Sequence, residues 1–358
     1  MMNEIFLLVG GEATRLQPLS TGIPKALLTI RGEKIIDKII THFSQFSDFT
    51  FNLICSEKHR QHWNDYEASS SNNINLLFEQ KKLDTAGYII ENIQTMPNKF
   101  LCMNGDLLLD VDLEDFIDSA RSCTNSLIGS YEVENPSRYG VLKVNKKMEV
   151  EAFIEKPEDD RFGNKISLGL YHLFKKDIMT ILPSLDVPCS FERDVFPRLS
   201  TNQLLNTYTV KGNMIDVGTR EAFIQAHLDE GKENWISPNN TKINHDSIIK
   251  NSVILDGCKI GENVIIENSI ISNNSTIESG SIIKNKKNLK FKITDEAINQ
   301  LVEISFDHAY GARPLKRIIQ KQIETKISNN ILNNHYLKKD EININLVFIK
   351  VMIIQYIV

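Results

Sequence analysis

The sequence predicts an α/β protein built on a doubly wound sheet, followed by a short left-handed β-helix and then a small α+β module. Three observations carry that prediction. Over residues 1 to about 230, short apolar runs alternate with amphipathic stretches, the pattern of strands joined by right-handed helical crossovers. From about residue 241, isoleucines recur with a six-residue period. From about residue 288 the texture returns to helices and one alternating strand.

The first run, "EIFLLVG", is continuously apolar, as strands buried on both faces are. "EKIIDKIITHFSQF" then places Ile35, Ile36, Ile39, Ile40 and Phe43 at helical spacing. "FNLIC", "NINLLF" and "KFLCMNGD" read as further strands, and "LEDFIDSA" as the helix after the last of them. Ligands of such sheets bind at the carboxyl ends of the strands. The loop "GGEATRL" and the segment Asn104 to Asp106 both fall at such ends.

"GKENWISPNN", residues 231–240, is polar, carries a proline and reads as a linker. Beyond it Ile248, Ile254, Ile260 and Ile266 are six residues apart, and Ile271, Ile277 and Ile283 continue after a slip of one. Gly257, Gly261 and Gly280 lie among Asn and Ser between them. One small aliphatic side chain per six-residue step is the signature of a left-handed β-helix, here residues 241–287 and about two to three coils. Residues 288–347 form the third module. Within it "TDEAINQLVEISF" opens on a capping signal, "RPLKRIIQKQIETKISNNIL" lines Leu315, Ile318, Ile319, Ile323 and Ile327 along one helix face, and "EININLVFI" alternates as a strand does. Residues 348–358 are an apolar tail; the run from Leu346 is too short to cross a bilayer, and Lys350 interrupts it.

Composition bounds the function. The chain has 358 residues, 41% hydrophobic and 24% charged, as ordinary globular domains do. Its formal net charge of -5 leaves no basic excess for the phosphates of a nucleic acid. Cys55, Cys102, Cys123, Cys189 and Cys258 are scattered and odd in number, which points to reduced core thiols in the cytoplasm and not to a disulfide or zinc framework. The eight histidines show no metal-ligand spacing.

The loop after the first strand sets two glycines, Gly10 and Gly11, beside Arg15, with Lys25 following. Small residues let a bulky group approach the backbone, and fixed cations suit an anion. Neither G-x-x-x-x-G-K-[ST] nor G-x-G-x-x-G is present, so a P-loop and a dinucleotide fingerprint are both excluded here.

An ordered set of further motifs makes the resemblance specific. "VGGEATRLQPLSTGIPKALLTI", "LDTAG", "MNGDLLLDVDL", "YGVLKVNKKMEVEAFIEKP", "SLGLYHLF", "SFERDVFPRL" and "MIDVGTREAF" together resemble the signature of the sugar-1-phosphate nucleotidyltransferases, of the mannose-1-phosphate guanylyltransferase type, over residues 1–230. The resemblance implies a Rossmann-like mixed sheet and transfer of a nucleotidyl group from an NTP to a sugar 1-phosphate, with GDP-mannose or a similar sugar nucleotide as product. The sugar phosphate is already ionised, so such a site needs positioning and charge neutralisation and no general base. Arg15 and Lys25 are the candidate cations for the triphosphate. Asp106 and Asp216, each at a strand end, are the candidate ligands of Mg2+, which asks for one or two carboxylates beside substrate oxygens. These four are the catalytic candidates. The resemblance further places Gly10, Gly11, Thr85 and Gly87 against the base and ribose, and Gly140, Glu155, Lys156 and Gly169 around the sugar phosphate. Glu192 and Asp194 read either as further sugar or metal contacts or as members of structural ion pairs. Ala13 and Asp84 stand where the family has glycine, and Met214 and Leu168 also depart from its pattern.

A short β-helix behind such a domain resembles the arrangement in the mannose-1-phosphate guanylyltransferases and their relatives, where it supports oligomerisation or regulation, so a homo-oligomer is expected. Residues 288–347, with "GARPL", resemble the C-terminal small domain of the Clp-type AAA+ disaggregases. There the arginine matching Arg313 senses a nucleotide held by a preceding ATPase core, which has no P-loop counterpart here. The rival expectation is a non-catalytic assembly protein that uses the β-helix and this module for contacts. No partnership with nucleic acid or membrane is expected.

Overall fold

The computed structural model describes residues 3–17, 19–20, 22–158, 161–228 and 232–284, together with two short strands, Lys290–Ile293 and Glu341–Ile344. The chain divides into two compact units, Met1–Ala226 and His227–Val358.

The first unit opens with β1 (Glu4–Leu8), the hairpin β2 (Thr29–Ile30) and β3 (Glu33–Lys34), and helix α1 (Ile35–Ser44). Next come β4 (Thr50–Ser56), α2 (Arg60–Ser69), β5 (Ile74–Glu79), α3 (Asp84–Glu91) and β6 (Lys99–Asn104). Then follow β7 (Leu107–Val111), α4 (Glu114–Ser122), β8 (Ser126–Glu132), β9 (Gly140–Val144), β10 (Val150–Glu155) and β11 (Lys165–Phe174). Helices α5 (Lys175–Ile181) and α6 (Phe196–Thr201), strands β12 (Leu205–Thr209) and β13 (Gly212–Asp216), and α7 (Arg220–His227) close the series.

Strands β1, β4, β5 and β6 are mutually parallel, and β11 enters antiparallel against β6, giving a mixed nine-stranded sheet in the order β10-β9-β11-β6-β1-β4-β5, with β8 and β12 branching from β11. The apolar stripe expected on α1 is buried, with Ile35, Ile36 and Phe43 fully enclosed. The opposite side of the sheet is packed by Phe100, Tyr171, Phe191 and Phe196, the last three in mutual ring contact.

A second, two-stranded ladder stands apart from this sheet. β13 runs antiparallel to β7, with Asp216 opposite Leu107 and Gly212 opposite Val111. Gly212 takes φ +127, and a Cβ there would lie 2.2 Å from the carbonyl oxygen of Asp110, so only glycine permits this approach. The ladder brings two strand ends from distant parts of the sequence side by side.

In the second unit, short parallel strands stack into three sheets: Asn234–Ile236, Ser252–Ile254 and Ile270–Ile271; Lys242–Ile243, Lys259–Ile260 and Thr276–Ile277; Ile248–Lys250, Ile265–Glu267 and Ile282–Lys284. This is the expected hexapeptide β-helix. Its core is Ile254, Ile260, Ile266 and Ile271, with Ile243, Ile249, Ile277 and Ile283 against it. Two readings of the sequence are corrected. The inward residue on the third face is Ile249, paired with Ile266, while Ile248 is 48% exposed. One face of each coil therefore uses a five-residue step, and the slip seen once in the sequence recurs in every turn. The polar stretch 231–240, expected as a linker, supplies the strand Asn234–Ile236, paired with Ser252–Ile254. Trp235 and Ile236 give that stretch strand character that its Asn, Ser and Pro neighbours conceal. Corner residues Asn240, Asn251, Asn263, Asn268 and Asn274 all take positive φ, which asparagine tolerates better than most residues.

The expectations for the Clp-like module, residues 288–347, and for the tail, 348–358, lie outside the described residues except for Lys290–Ile293 and Glu341–Ile344, which pair in parallel.

Candidate active site

A cleft of about 630 Å3 opens along the carboxyl ends of the central strands. Asp106 follows β6, and the β7–β13 ladder sets Asp216 beside it, with Val217 donating its amide to the Asp106 carbonyl at 3.3 Å. Lys25 Nζ donates to Asp106 Oδ2 at 2.7 Å and to Asp216 Oδ1 at 3.1 Å. The lysine is only 6% exposed and lies beneath the two carboxylates, whose side chains are 39% and 32% exposed. Arg15 sits on the turn Thr14–Leu16, anchored by the fully buried Leu16. A Cβ on Gly218 would stand 3.0 Å from both Arg15 Nη2 and Asp216 Oδ1, so that glycine is what lets guanidinium and carboxylate converge. All four catalytic candidates thus meet at one place.

Lys25 differs from expectation in one respect. It does not line the cleft but bridges the two aspartates from below, because both carboxylates reach it before any outside anion does. Each aspartate keeps a second oxygen that bonds no group among the described residues. No cluster of three or more His, Cys, Asp or Glu able to hold a metal occurs among the described residues. Two carboxylates around one ammonium leave one net negative charge, and a pair of oxygens open to the cleft fits a hard divalent cation that takes its other ligands from substrate and water.

The sugar-phosphate candidates line the same cleft. Lys156 takes φ +48, donates its amide to the Tyr139 carbonyl at 3.0 Å and places Nζ 2.7 Å from Glu155 Oε1. Gly140 packs so closely on the Phe153 ring that a Cβ would lie 2.3 Å from it. Gly169 interrupts the pairing of β11 with β8 at φ +77, against Leu107 and Asn104.

The nucleotide candidates are dispersed. Arg15 and Thr85 line the cleft, whereas Gly10, Gly11 and Gly87 do not. Gly87 is buried inside α3, where a Cβ would lie 2.7 Å from Leu83 and 3.5 Å from Val187; its small size serves packing. Gly11 is exposed with open space around it, and Gly10 lies against Glu79. Thr85 Oγ1 accepts from the Phe191 amide at 2.9 Å and donates to Glu192 Oε2 at 2.8 Å, so its hydroxyl is committed to the turn opposite. Two of the departures from the family pattern, Ala13 and Asp84, have local explanations, while Met214 and Leu168 line the cleft. Ala13 has φ -81 and needs no glycine. Asp84 keeps the positive φ of +66 that a glycine would take, its Oδ1 accepting from the Thr85 amide and its Oδ2 from Arg193. Sequence reasoning placed the segment Asn104 to Asp106 at a strand end but assigned no role to Asn104, and it missed Arg138, Arg193 and Gly218; Arg138 lies beside a quoted motif, and Arg193 and Gly218 each inside one.

Glu79, at the end of β5, has one carboxylate oxygen buried without a partner, and burial, ahead of repulsion by Glu91 and Asp84, raises its pKa to about 7 from 4.5. A group protonated more readily in the folded chain contributes stability that is fully present below pH 4.5 and lost as pH rises through about 7. Glu79→Gln, neutral throughout, is therefore expected to gain about 1–3 kcal/mol on the parent protein between about pH 5 and pH 8. Thermal unfolding of both proteins at the two pH values checks this; a constant difference in Tm would contradict it.

The Rossmann-like sheet thus carries paired aspartates, a buried lysine and an exposed arginine at its strand ends. Residues 5–233 match the nucleotidyl transferase family, and the chain belongs to it. Residues 233–300 match the GlmU-like C-terminal hexapeptide family, and residues 278–344 the C-terminal D2-small domain of ClpB. Among named relatives, the mannose-1-phosphate guanyltransferase of Gibberella zeae is 27% identical over 275 residues, covering 72% of this chain and 73% of its own. A Sulfolobus acidocaldarius protein provisionally given the same name is 28% identical over 236 residues; the match spans 64% of this chain and 63% of that relative. Of solved structures, HddC from Yersinia pseudotuberculosis superposes with TM-score 0.53 at 26% identity, over 63% of this chain and 98% of that one. HddC complexed with GMP-PN gives TM-score 0.51 at 25% identity, over 63% of this chain and 98% of that one. A glucose-1-phosphate thymidylyltransferase-like protein from Bacillus anthracis, at 18% identity and TM-score 0.56 over 65% of this chain and 98% of its own, shares the fold.

Proposed function

We propose that the protein transfers a nucleotidyl group from an NTP to a sugar 1-phosphate, releasing pyrophosphate, with GTP and mannose 1-phosphate or a similar sugar phosphate as substrates. The observation that carries the proposal is the convergence of Arg15, Lys25, Asp106 and Asp216 at strand ends in a chain of the nucleotidyl transferase family. The names of the relatives and the guanine nucleotide analogue bound to HddC support guanylyl transfer.

In this reading an oxygen of the sugar phosphate attacks the α-phosphorus, the bond to the bridging oxygen breaks, and pyrophosphate leaves with that electron pair. Arg15 holds triphosphate oxygens through its planar fork. Lys25 fixes Asp106 and Asp216 in place and offsets part of their repulsion toward the incoming anions. The two aspartates would hold Mg2+, which when bound neutralises charge at the reacting phosphates. Lys156 steers the sugar phosphate into line, and the close backbone at Gly140 and Gly169 shapes the sugar's seat.

Pyrophosphate release by the full chain, measured over a matrix of NTPs and sugar 1-phosphates with and without Mg2+, tests the proposal. Release with no pair of substrates would refute it.

The chemistry is assigned to residues 1–230. The β-helix is assigned to self-association, supported by the outward stack of Ile248, Ile265 and Ile282. The cytoplasm is the expected compartment, supported by five unpaired thiols, and among the described residues no helix is long and apolar enough to cross a membrane. Truncation after residue 287 is expected to leave turnover per site intact. Turnover and light-scattering mass of the two forms check it, and a folded truncation that loses transfer would place part of the site in the third module.

A further inference from the structure

Not every charge of the cleft is matched. Lys25 serves Asp106 and Asp216, Lys156 serves Glu155, and Arg193 turns to Asp84. Arg15 and Arg138 also line the cleft, and among the described residues their side chains have no ion-pair or hydrogen-bond partner. Glu192 lines it too, and among the described residues no cation pairs with it.

Arg15 stands beside Asp216 across Gly218 and already has the triphosphate to serve. Arg138 belongs to the other group of charges. It is exposed on the turn 136–139, which is fixed at both ends. At one end Asn135 Oδ1 accepts from the Ser137 amide at 3.2 Å and from Ser137 Oγ at 2.7 Å. At the other the Tyr139 amide donates to the Pro136 carbonyl at 3.0 Å. The β9–β10 ladder pairs Gly140 with Glu155, and Lys156 extends it by donating its amide to the Tyr139 carbonyl at 3.0 Å. Arg138 is thus presented one residue from the partner of Lys156. The turn that carries Glu192, Phe191–Val195, packs against β10, the strand that ends in Glu155.

The sign of the charge on this side of the cleft then depends on Arg138. Lys156 and Glu155 cancel, so with Glu192 alone the seat would be negative. A phosphomonoester carries a charge of about -1.5 to -2 at pH 7, and such a seat would repel it. Arg138 removes the deficit and offers a guanidinium that no carboxylate holds, whose planar fork matches two phosphate oxygens at once. We propose that Arg138 grips the phosphate of the sugar 1-phosphate, beside Lys156, and is the principal cation of that subsite. This rests on the nucleotidyl-transfer reading of the cleft. Lys156, half-neutralised by Glu155, is the weaker of the two.

The test uses the full chain and its Arg138→Ala and Arg138→Gln variants, with GTP and mannose 1-phosphate varied in turn. Arg138→Ala should raise the KM of mannose 1-phosphate ~10- to 100-fold, the size of hydrogen bonds between charged groups, and leave the KM of GTP unchanged. Guanidinium ion at millimolar concentration should restore part of that loss in Arg138→Ala and give the parent protein nothing, a rescue that a merely structural side chain would not show. Arg138→Gln, uncharged and of similar shape near the backbone, gives the same comparison if the alanine variant fails to fold. An unmoved KM for the sugar phosphate in both variants would overturn the proposal. So would a rise confined to GTP, which would put Arg138 on the triphosphate. Calorimetric titration of mannose 1-phosphate separates this from the reaction itself. A parent protein that binds it, releases no pyrophosphate with any NTP and binds it more weakly as Arg138→Ala would sink the transfer reading and keep Arg138 as the phosphate holder. Equal binding by parent and variant would sink the proposal alone, and no binding by the parent would remove both.

Discussion

Asp106→Asn and Asp216→Asn are each expected to lower nucleotidyl transfer by about three orders of magnitude, with the fold retained. Asparagine keeps the shape of each side chain and can still accept from Lys25, so the β7–β13 ladder and the strand ends need not move. What disappears is one of the two negative charges that would hold a divalent cation at the reacting phosphates. Both side chains are more than 30% exposed, so no uncompensated charge is buried by either change. Turnover and Tm measured together check the expectation. Near-normal rates with Mg2+ in both variants would mean that the metal, if used, sits elsewhere.

Arg15→Ala and Lys156→Ala should separate the two substrates. Arg15 flanks Asp216 across Gly218, where the proposed reaction seats the triphosphate. Its loss should lower kcat/KM for the NTP by ~100-fold, a usual figure for removing one preorganised group that stabilises developing charge. Lys156 is 65% exposed and paired with Glu155, at the end assigned to the sugar. Its loss should raise the KM of the sugar phosphate ~10-fold or more and leave the NTP nearly untouched. Initial rates with each substrate varied in turn would show the split; crossed effects would reverse the assignment of the two cations, and equal effects on both would overturn it.

Much of this architecture is legible in the residues. The five apolar residues of α1 announce their buried face by spacing alone, and the strand-loop boundaries place Asp106 at an edge where ligands bind. The metal and phosphate candidates, Arg15, Lys25, Asp106 and Asp216, are picked out through the family resemblance, and the fold brings the four together. The glycine assignments are less legible, because a glycine is used wherever backbone or side chains crowd, ligand or not. Gly87 answers to Leu83 and Val187 inside a helix, and Gly212 to the carbonyl of Asp110. Glu192 and Asp194 read alike in sequence, as sugar or metal contacts or as ion-pair members; only the structure separates them, since Glu192 lines the cleft while Asp194 accepts from the Ser190 amide and does not. The β-helix register differs by one residue at Ile248 because that residue stands six before Ile254 and the inward Ile249 only five, so the period alone favours the wrong neighbour and only stacking over Ile266 decides between them.

The bridge at Lys25 also fixes when the site can come into being. Lys25 is separated from Asp106 by 81 residues and from Asp216 by 191. Contacts this remote close late, after the loops between them have been ordered. Until residue 216 has been made, Lys25 has Asp106 alone to pair with, and the second carboxylate of the bridge does not exist. The second carboxylate arrives only when β13 zips onto β7 past Gly212. Completion of the bridge thus waits on the pairing of β13 with β7, and a chain stalled before residue 212 lacks the second carboxylate altogether.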